Sequence, residues 1–153
     1  MAAATSGRVR SMTDDTLRSV ELTRIGPARF KATNARGGET FFGTGGADPD
    51  FTPIELLLAA IAGCSALDVE AITHKRTSST TFDVRAEGRK VRDADGNHLT
   101  GIRVSFDLAF PEGPDGDAAR DRVQSAIEMS HDRLCTVSRT VQLGADVVYD
   151  PVS

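Results

Sequence analysis

Residues 52–76 read TPIELLLAAIAGCSALDVEAITHKR, and the rest of the chain is best understood from this segment outward. Thr52 can cap a helix, Pro53 suits the first helical position, and Glu55 completes a capping box with Thr52. The helix is predicted to run to His74-Lys75-Arg76, whose positive charge suits a helix C-terminus. From Leu56 to Leu67 it is apolar on every face and is expected to be buried all round. So central a helix needs more cover than a small domain supplies, which points to a dimer. The uncharged run is shorter than the roughly 20 residues that span a bilayer.

On the N-terminal side, Arg18 to Thr44 reads as three short strands. Val20 and Leu22 alternate with polar residues, Gly26-Pro27 marks a turn, Ala28 to Thr33 forms a second strand, and Gly37-Gly38 precedes Thr40-Phe41-Phe42. The following stretch, Gly43-Thr44-Gly45-Gly46-Ala47-Asp48-Pro49-Asp50, is glycine-rich like a phosphate cradle. It lacks the Lys-Ser/Thr ending and reads as a loop. On the C-terminal side, Thr81–Val91 and His98–Phe110 flank Asp95-Gly96, a hairpin signal. Ile102, Val104, Phe106, Leu108 and Phe110 form one period-two face. Asp117 to Arg133 reads as a second helix, with Ala119, Val123, Ile127 and Leu134 along one side. Thr136 to Tyr149 reads as a final strand, with Val141, Leu143, Ala145 and Val147 alternating. Strands grouped apart from helices indicate an α+β fold.

The 153 residues suit one domain, expected over 16–153 behind a disordered tail at 1–15. The net charge of −4 is mixed in sign and aromatics are only 5%, which argues against nucleic-acid binding. No secretory leader is apparent, so a cytoplasmic location with reduced thiols is expected.

Chemistry rests on Cys64 and Cys135, the two cysteines of the chain. Cys64 follows Gly63 and lies among Ala60, Ala62, Ser65 and Ala66. Asp68, four residues on, shares its helix face. Cys135 stands at the junction of the second helix and the expected strand. Each reads either as a small buried hydrophobe or as a reactive thiol, and a reactive Cys64 needs a cation distant in sequence. His131 precedes Cys135 by four residues and His74 follows Cys64 by ten, so a metal site on both cysteines and a histidine is a further reading. Both histidines are more simply helix-surface residues.

Pro53–Arg76, together with Cys135-Thr136-Val137-Ser138, resembles the paired cysteine motifs of the OsmC/Ohr superfamily (osmotically inducible protein C and organic hydroperoxide resistance protein). The element order agrees over residues 17–150. Asp68 is closer to the OsmC-like branch. The resemblance implies an intertwined homodimer with two buried helices, no cofactor and no metal. It also implies thiol peroxidase chemistry on organic or related hydroperoxides in oxidative or osmotic stress defence, with an external dithiol as reductant. Cys64 matches the peroxidatic cysteine and Cys135 the resolving one. In the peroxidase branches an arginine of the first hairpin holds the thiolate, and a glutamate directly after the helix-start proline holds that arginine. Here Ile54 follows Pro53, and Glu55 comes one position later. Glu55 lies about 180° around a regular helix from Cys64, which favours the cap over a catalytic role. Arg29 is the first candidate for the arginine, with Arg24 and Arg36 as alternatives. The rival function is a non-catalytic dimer of the same fold that binds an apolar ligand or serves a structural role.

Overall fold

The computed structural model describes residues 14–151. The expected tail at 1–15 therefore lies, apart from Asp14 and Asp15, outside the described residues. Two compact units are present, Met1–Phe51 and Thr52–Ser153.

The N-terminal unit is an antiparallel meander of β1 (Val20–Gly26), β2 (Arg29–Asn34) and β3 (Glu39–Phe42), in that order across the sheet. Arg24 pairs with Phe30, and Phe30 with Phe42. The Phe30 and Phe42 rings stack with centroids 5.7 Å apart, which ties β3 to β2. The glycine-rich stretch is a loop, as expected. Gly43 N–H donates to the Phe51 carbonyl and closes it.

The C-terminal unit begins with helix α1 (Pro53–Thr73). The capping box is formed: Glu55 N–H donates to Thr52 Oγ1 at 3.3 Å, and Thr52 N–H donates to the Glu55 carboxylate at 2.7 Å. The helix ends at Thr73 with His74 as its C-cap, so Lys75 and Arg76 fall beyond it. The buried residues are Ile61, Ser65, Val69 and Thr73. Four-residue spacing makes them one stripe, and α1 packs on the strand that follows it, at Thr81–Asp93, and on the later helices. The all-round burial expected for α1 does not occur within the chain: Leu67 is 68% exposed, and a side chain at Gly63 would meet nothing within 4 Å. The cause is geometric, since one hairpin and three short helices cover a single side of α1. By length and composition alone α1 would pass as a membrane span.

β4 (Thr81–Asp93) and β5 (Gly96–Ala109) form the expected hairpin, turning at Asp93–Gly96 where Gly96 takes φ 92°. Ile102, Val104, Phe106 and Leu108 point to the half-buried face, and Phe110 is buried at the end of the strand.

The expected second helix is broken into three pieces: α2 (Pro114–Arg120), α3 (Val123–Met129) and a π-helical turn at Ser130–Leu134. It also starts three residues early, because Pro114 takes the first helical position. Gly116 sits where a Cβ would lie 1.7 Å from the Pro111 carbonyl oxygen, so glycine is required there. The expected final strand is overturned outright. Thr136–Leu143 is a helix, α4, with Cys135 as N-cap and Gly144 in the left-handed conformation (φ 64°) as C-cap. The period-two set that suggested a strand, Val141, Leu143, Ala145 and Val147, falls at the end of α4 and beyond it, and four β-branched residues, Thr136, Val137, Thr140 and Val141, add β propensity within it. The two caps and the packing of α4 on α1 outweigh that propensity.

Candidate functional site: a two-thiol centre at the start of α4

The site lies within the C-terminal unit. α1 presents Cys64 and Asp68 one turn apart. The π-helical turn before Cys135 widens the last turn of that helical segment and delivers Cys135 to the same place. The Cys64 and Cys135 sulfurs and an Asp68 carboxylate oxygen all lie within 4.8 Å of one another. Cys135 is fully buried and Cys64 half-buried, and both thiols are free.

The two sulfurs share the amides at the N-terminus of α4, Val137 acting on Cys64 and Ser138 on Cys135, but differ in what else reaches them. Ser138 N–H donates to Cys135 Sγ at 3.4 Å, one of the amides that a helix start leaves unpaired. Burial alone would push the Cys135 thiol up. It is outweighed by hydrogen bonds from Ser138 and Ser65 and by one from Cys64, so the thiol is held below the ordinary value. For Cys64, burial pushes the thiol up, and the Val137 N–H opposes this. The proton shared with Cys135 and the negative charges of Cys135 and Asp68 add to the rise. Among the described residues, no cation contributes to lowering Cys64. Asp68 is itself held by Ser130, whose hydroxyl donates to Asp68 Oδ2 at 2.9 Å. Ser130 is 1% exposed.

The other expected residues are engaged elsewhere. Arg29 belongs to the N-terminal unit, where its Nε is 3.2 Å from Asp48 and its Nη2 pairs with Asp50. Asp48 also accepts from Asp50 N–H, so the glycine-rich loop forms a small acidic clamp on Arg29. Glu55 serves the capping box. His131 contacts Asp132, and His74 contacts Ser78. Neither histidine joins the group around the sulfurs, where Asp68 stands instead.

Beside the thiols lies a cavity of about 220 Å³, lined by Ile61, Ile102, Val104, Phe106, Ile127 and Val141. Its polar edge includes Ser65 and Ser138, the two serines that serve Cys135. Ser65 and Ser130 were not singled out in the sequence. Ser65 carries a weak signal as the residue after Cys64, while Ser130 is 62 residues from Asp68 and carries none.

The OsmC-like protein family matches residues 44–150, and the chain belongs to it. Its recognition as a member of the OsmC/Ohr superfamily thus holds. An uncharacterized protein of Mycobacterium tuberculosis (strain H37Rv) is 29% identical over 125 residues, covering 81% of this chain and 88% of its own. Among solved structures, an OsmC-like protein of Mycoplasma pneumoniae aligns with TM-score 0.67 at 14% identity, covering 84% of this chain and 89% of the other. An OsmC-like protein of unknown function from Vibrio cholerae aligns at 0.64 and 14% identity, over 83% and 94%. The organic hydroperoxide resistance protein OhrB of Bacillus subtilis aligns at 0.54 and 14%, over 80% and 90%. These likenesses fix the α+β fold.

Proposed function

We propose that this chain is a cytoplasmic, homodimeric peroxidase of stress defence that reduces organic hydroperoxides through Cys64 and Cys135. The observation that carries this reading is the meeting of the two thiols, 71 positions apart in sequence, beside an apolar cavity. The name of the OhrB relative supports the substrate class.

The Cys64 thiolate attacks a peroxide oxygen, and the O–O bond breaks with its electron pair on the departing alkoxide. The alkoxide takes a proton and leaves as the alcohol. Cys64 is oxidised by two electrons to a sulfenic acid. Cys135, whose thiol is held below the ordinary value, loses its proton and attacks that sulfur. The S–S bond forms, the S–O bond breaks, and water leaves. An external dithiol then exchanges twice with the disulfide, restoring both thiols and ending as a disulfide itself. The cavity receives the organic part of the peroxide.

Dimerisation is supported by the uncovered stripe of α1, where Ala60, Gly63, Leu67 and Ala71 are exposed. It would also let another protomer bring a cation to Cys64. Arg29 remains the first candidate, since it lies on a strand of the first hairpin.

The test is hydroperoxide consumption with a dithiol reductant, comparing the native protein with Cys64→Ser. Turnover by the native protein and none by the variant is expected; equal turnover overturns the mechanism. A second reading reverses the order of the thiols. It is favoured by one observation, the hydrogen bonds from Ser138 and Ser65 to Cys135. If Cys135 attacks first, a dimedone adduct forms on Cys135 in the Cys64→Ser variant and none forms on Cys64 in Cys135→Ser. A native protein without turnover that still retains an apolar ligand returns the non-catalytic rival.

A further inference from the structure

Three acidic groups meet at one point: two thiols and a carboxylate, within 4.8 Å of one another. A dithiol peroxidase has no use for the third. A carboxylate beside an attacking sulfur repels the negative charge that sulfur must carry. Yet Asp68 is not a stray surface group. It is half-buried, and Ser130, which is 1% exposed, donates to one of its oxygens. That bond holds one carboxylate oxygen, and among the described residues no hydrogen bond is made to the other.

We propose that Cys64 Sγ, Cys135 Sγ and Asp68 form a binding site for a thiophilic divalent cation, Zn²⁺ above all. The dimensions suit it. A zinc–sulfur distance of about 2.3 Å and a zinc–oxygen distance of about 2.0–2.2 Å at tetrahedral angles place the ligand atoms roughly 3.5–3.8 Å apart. The 4.8 Å limit on these atoms contains that triangle. Two thiolates and one carboxylate are a borderline-soft set that favours Zn²⁺ or Co²⁺ over Ca²⁺ and Mg²⁺, which prefer all-oxygen shells. Three protein ligands leave a fourth position for water. Ser130 acts as the outer partner that orients the carboxylate, a role such contacts commonly play at metal sites. Cys64 and Asp68 are half-buried, so solvent reaches part of each, while Cys135 is fully buried.

Binding releases the protons of whichever thiols still hold them, and the cation offsets three negative charges that otherwise face each other. The consequence for the thiols is protection. With both sulfurs on the metal, neither is free to be oxidised or alkylated.

The test titrates reduced, chelator-stripped protein with Co²⁺, whose bonds to thiolate give an ultraviolet charge-transfer band. One Co²⁺ per chain, a band that Zn²⁺ abolishes, and loss of the band in Cys64→Ser and in Cys135→Ser are expected. Ser130→Ala keeps all three ligands and serves if a cysteine variant fails to fold; it should weaken binding by about 10–100-fold. Asp68→Asn should weaken it at least as much. Native protein with no charge-transfer band overturns the site, and so does a band whose affinity is unchanged in Asp68→Asn. Loss of the band in His131→Ala with Asp68→Asn unaffected overturns the ligand set. Peroxide turnover has no part in these readings, so this site and the peroxidase reading fail separately.

Discussion

Cys64 lies in the middle of a 21-residue helix, where the neighbouring backbone N–H groups are spent on the helix itself. Cys135 stands at the start of an eight-residue helix, where the first amides have no helical partner. The two sulfurs lie within 4.8 Å of each other, yet one is pushed towards the thiol and the other towards the thiolate. Burial raises both and is the largest influence on each. The difference comes from what reaches each sulfur: serine donors offset burial at Cys135, while at Cys64 the proton and charge of Cys135, and last the charge of Asp68, add to it. Desolvation common to both sulfurs is thus resolved by the donors each position on a helix makes available.

Replacing the sulfurs one at a time breaks the comparison most sharply. Cys64→Ser and Cys135→Ser should each lower dithiol-dependent hydroperoxide turnover by at least about 10³-fold, since the cycle needs both atoms. Steady-state peroxide consumption reads this directly. If Cys135→Ser keeps turnover, Cys135 is not the resolving thiol.

Stability separates the two next. Cys135→Ala removes the N-cap acceptor of α4 and should cost about 1–2 kcal/mol in urea denaturation, whereas Cys135→Ser keeps an acceptor and should cost less. Cys64→Ala removes no cap and should change the midpoint less than Cys135→Ala does.

Asp68→Asn removes a charge that acts on Cys64 and should narrow the gap. In a metal-free Cys135→Ser background, Cys64 should react with iodoacetamide about fivefold faster near neutral pH, the equivalent of about 1 kcal/mol of lost repulsion. An unchanged rate would remove Asp68 from the account.

The smallest effect is on stability against pH. The folded value of Cys135 is depressed, so its contribution is present above the ordinary thiol value and is lost as pH falls through the folded value. That of Cys64 is raised, so its contribution is present below the ordinary value and is lost as pH rises through the folded one. Stability of the metal-free protein should therefore climb with pH just below the ordinary thiol range and decline just above it. Denaturation midpoints across that range check both slopes, and Asp68→Asn should flatten the decline.

Much of this was legible in the residues themselves. Thr52, Pro53 and Glu55 announced the start of α1, and the structure forms the capping box they predict. Asp95-Gly96 between alternating runs announced the β4–β5 hairpin, and the Gly26-Pro27 and Gly37-Gly38 turns announced the meander. These signals act over a few residues and carry their own physics: caps, turns and period. Two local signals were present but outvoted. Pro114 marks the start of α2, and Gly144 marks the end of α4. The period-two run Val141, Leu143, Ala145 and Val147 and the β-branched residues before it pointed the other way, and a strand was expected where a helix stands.

What the sequence by itself determined, then, is where the chain turns, where α1 begins, and which two thiols are available. Tertiary structure alone decided that Thr136–Leu143 coils, because packing against α1 and a sulfur cap at its start favour the helix over local β propensity. It alone brought Ser130 to Asp68 and Cys135 to Cys64. It also set the unequal environments of the two thiols. A proton's preference depends on the donors and charges within a few ångströms, and here those come from residues far apart in the chain.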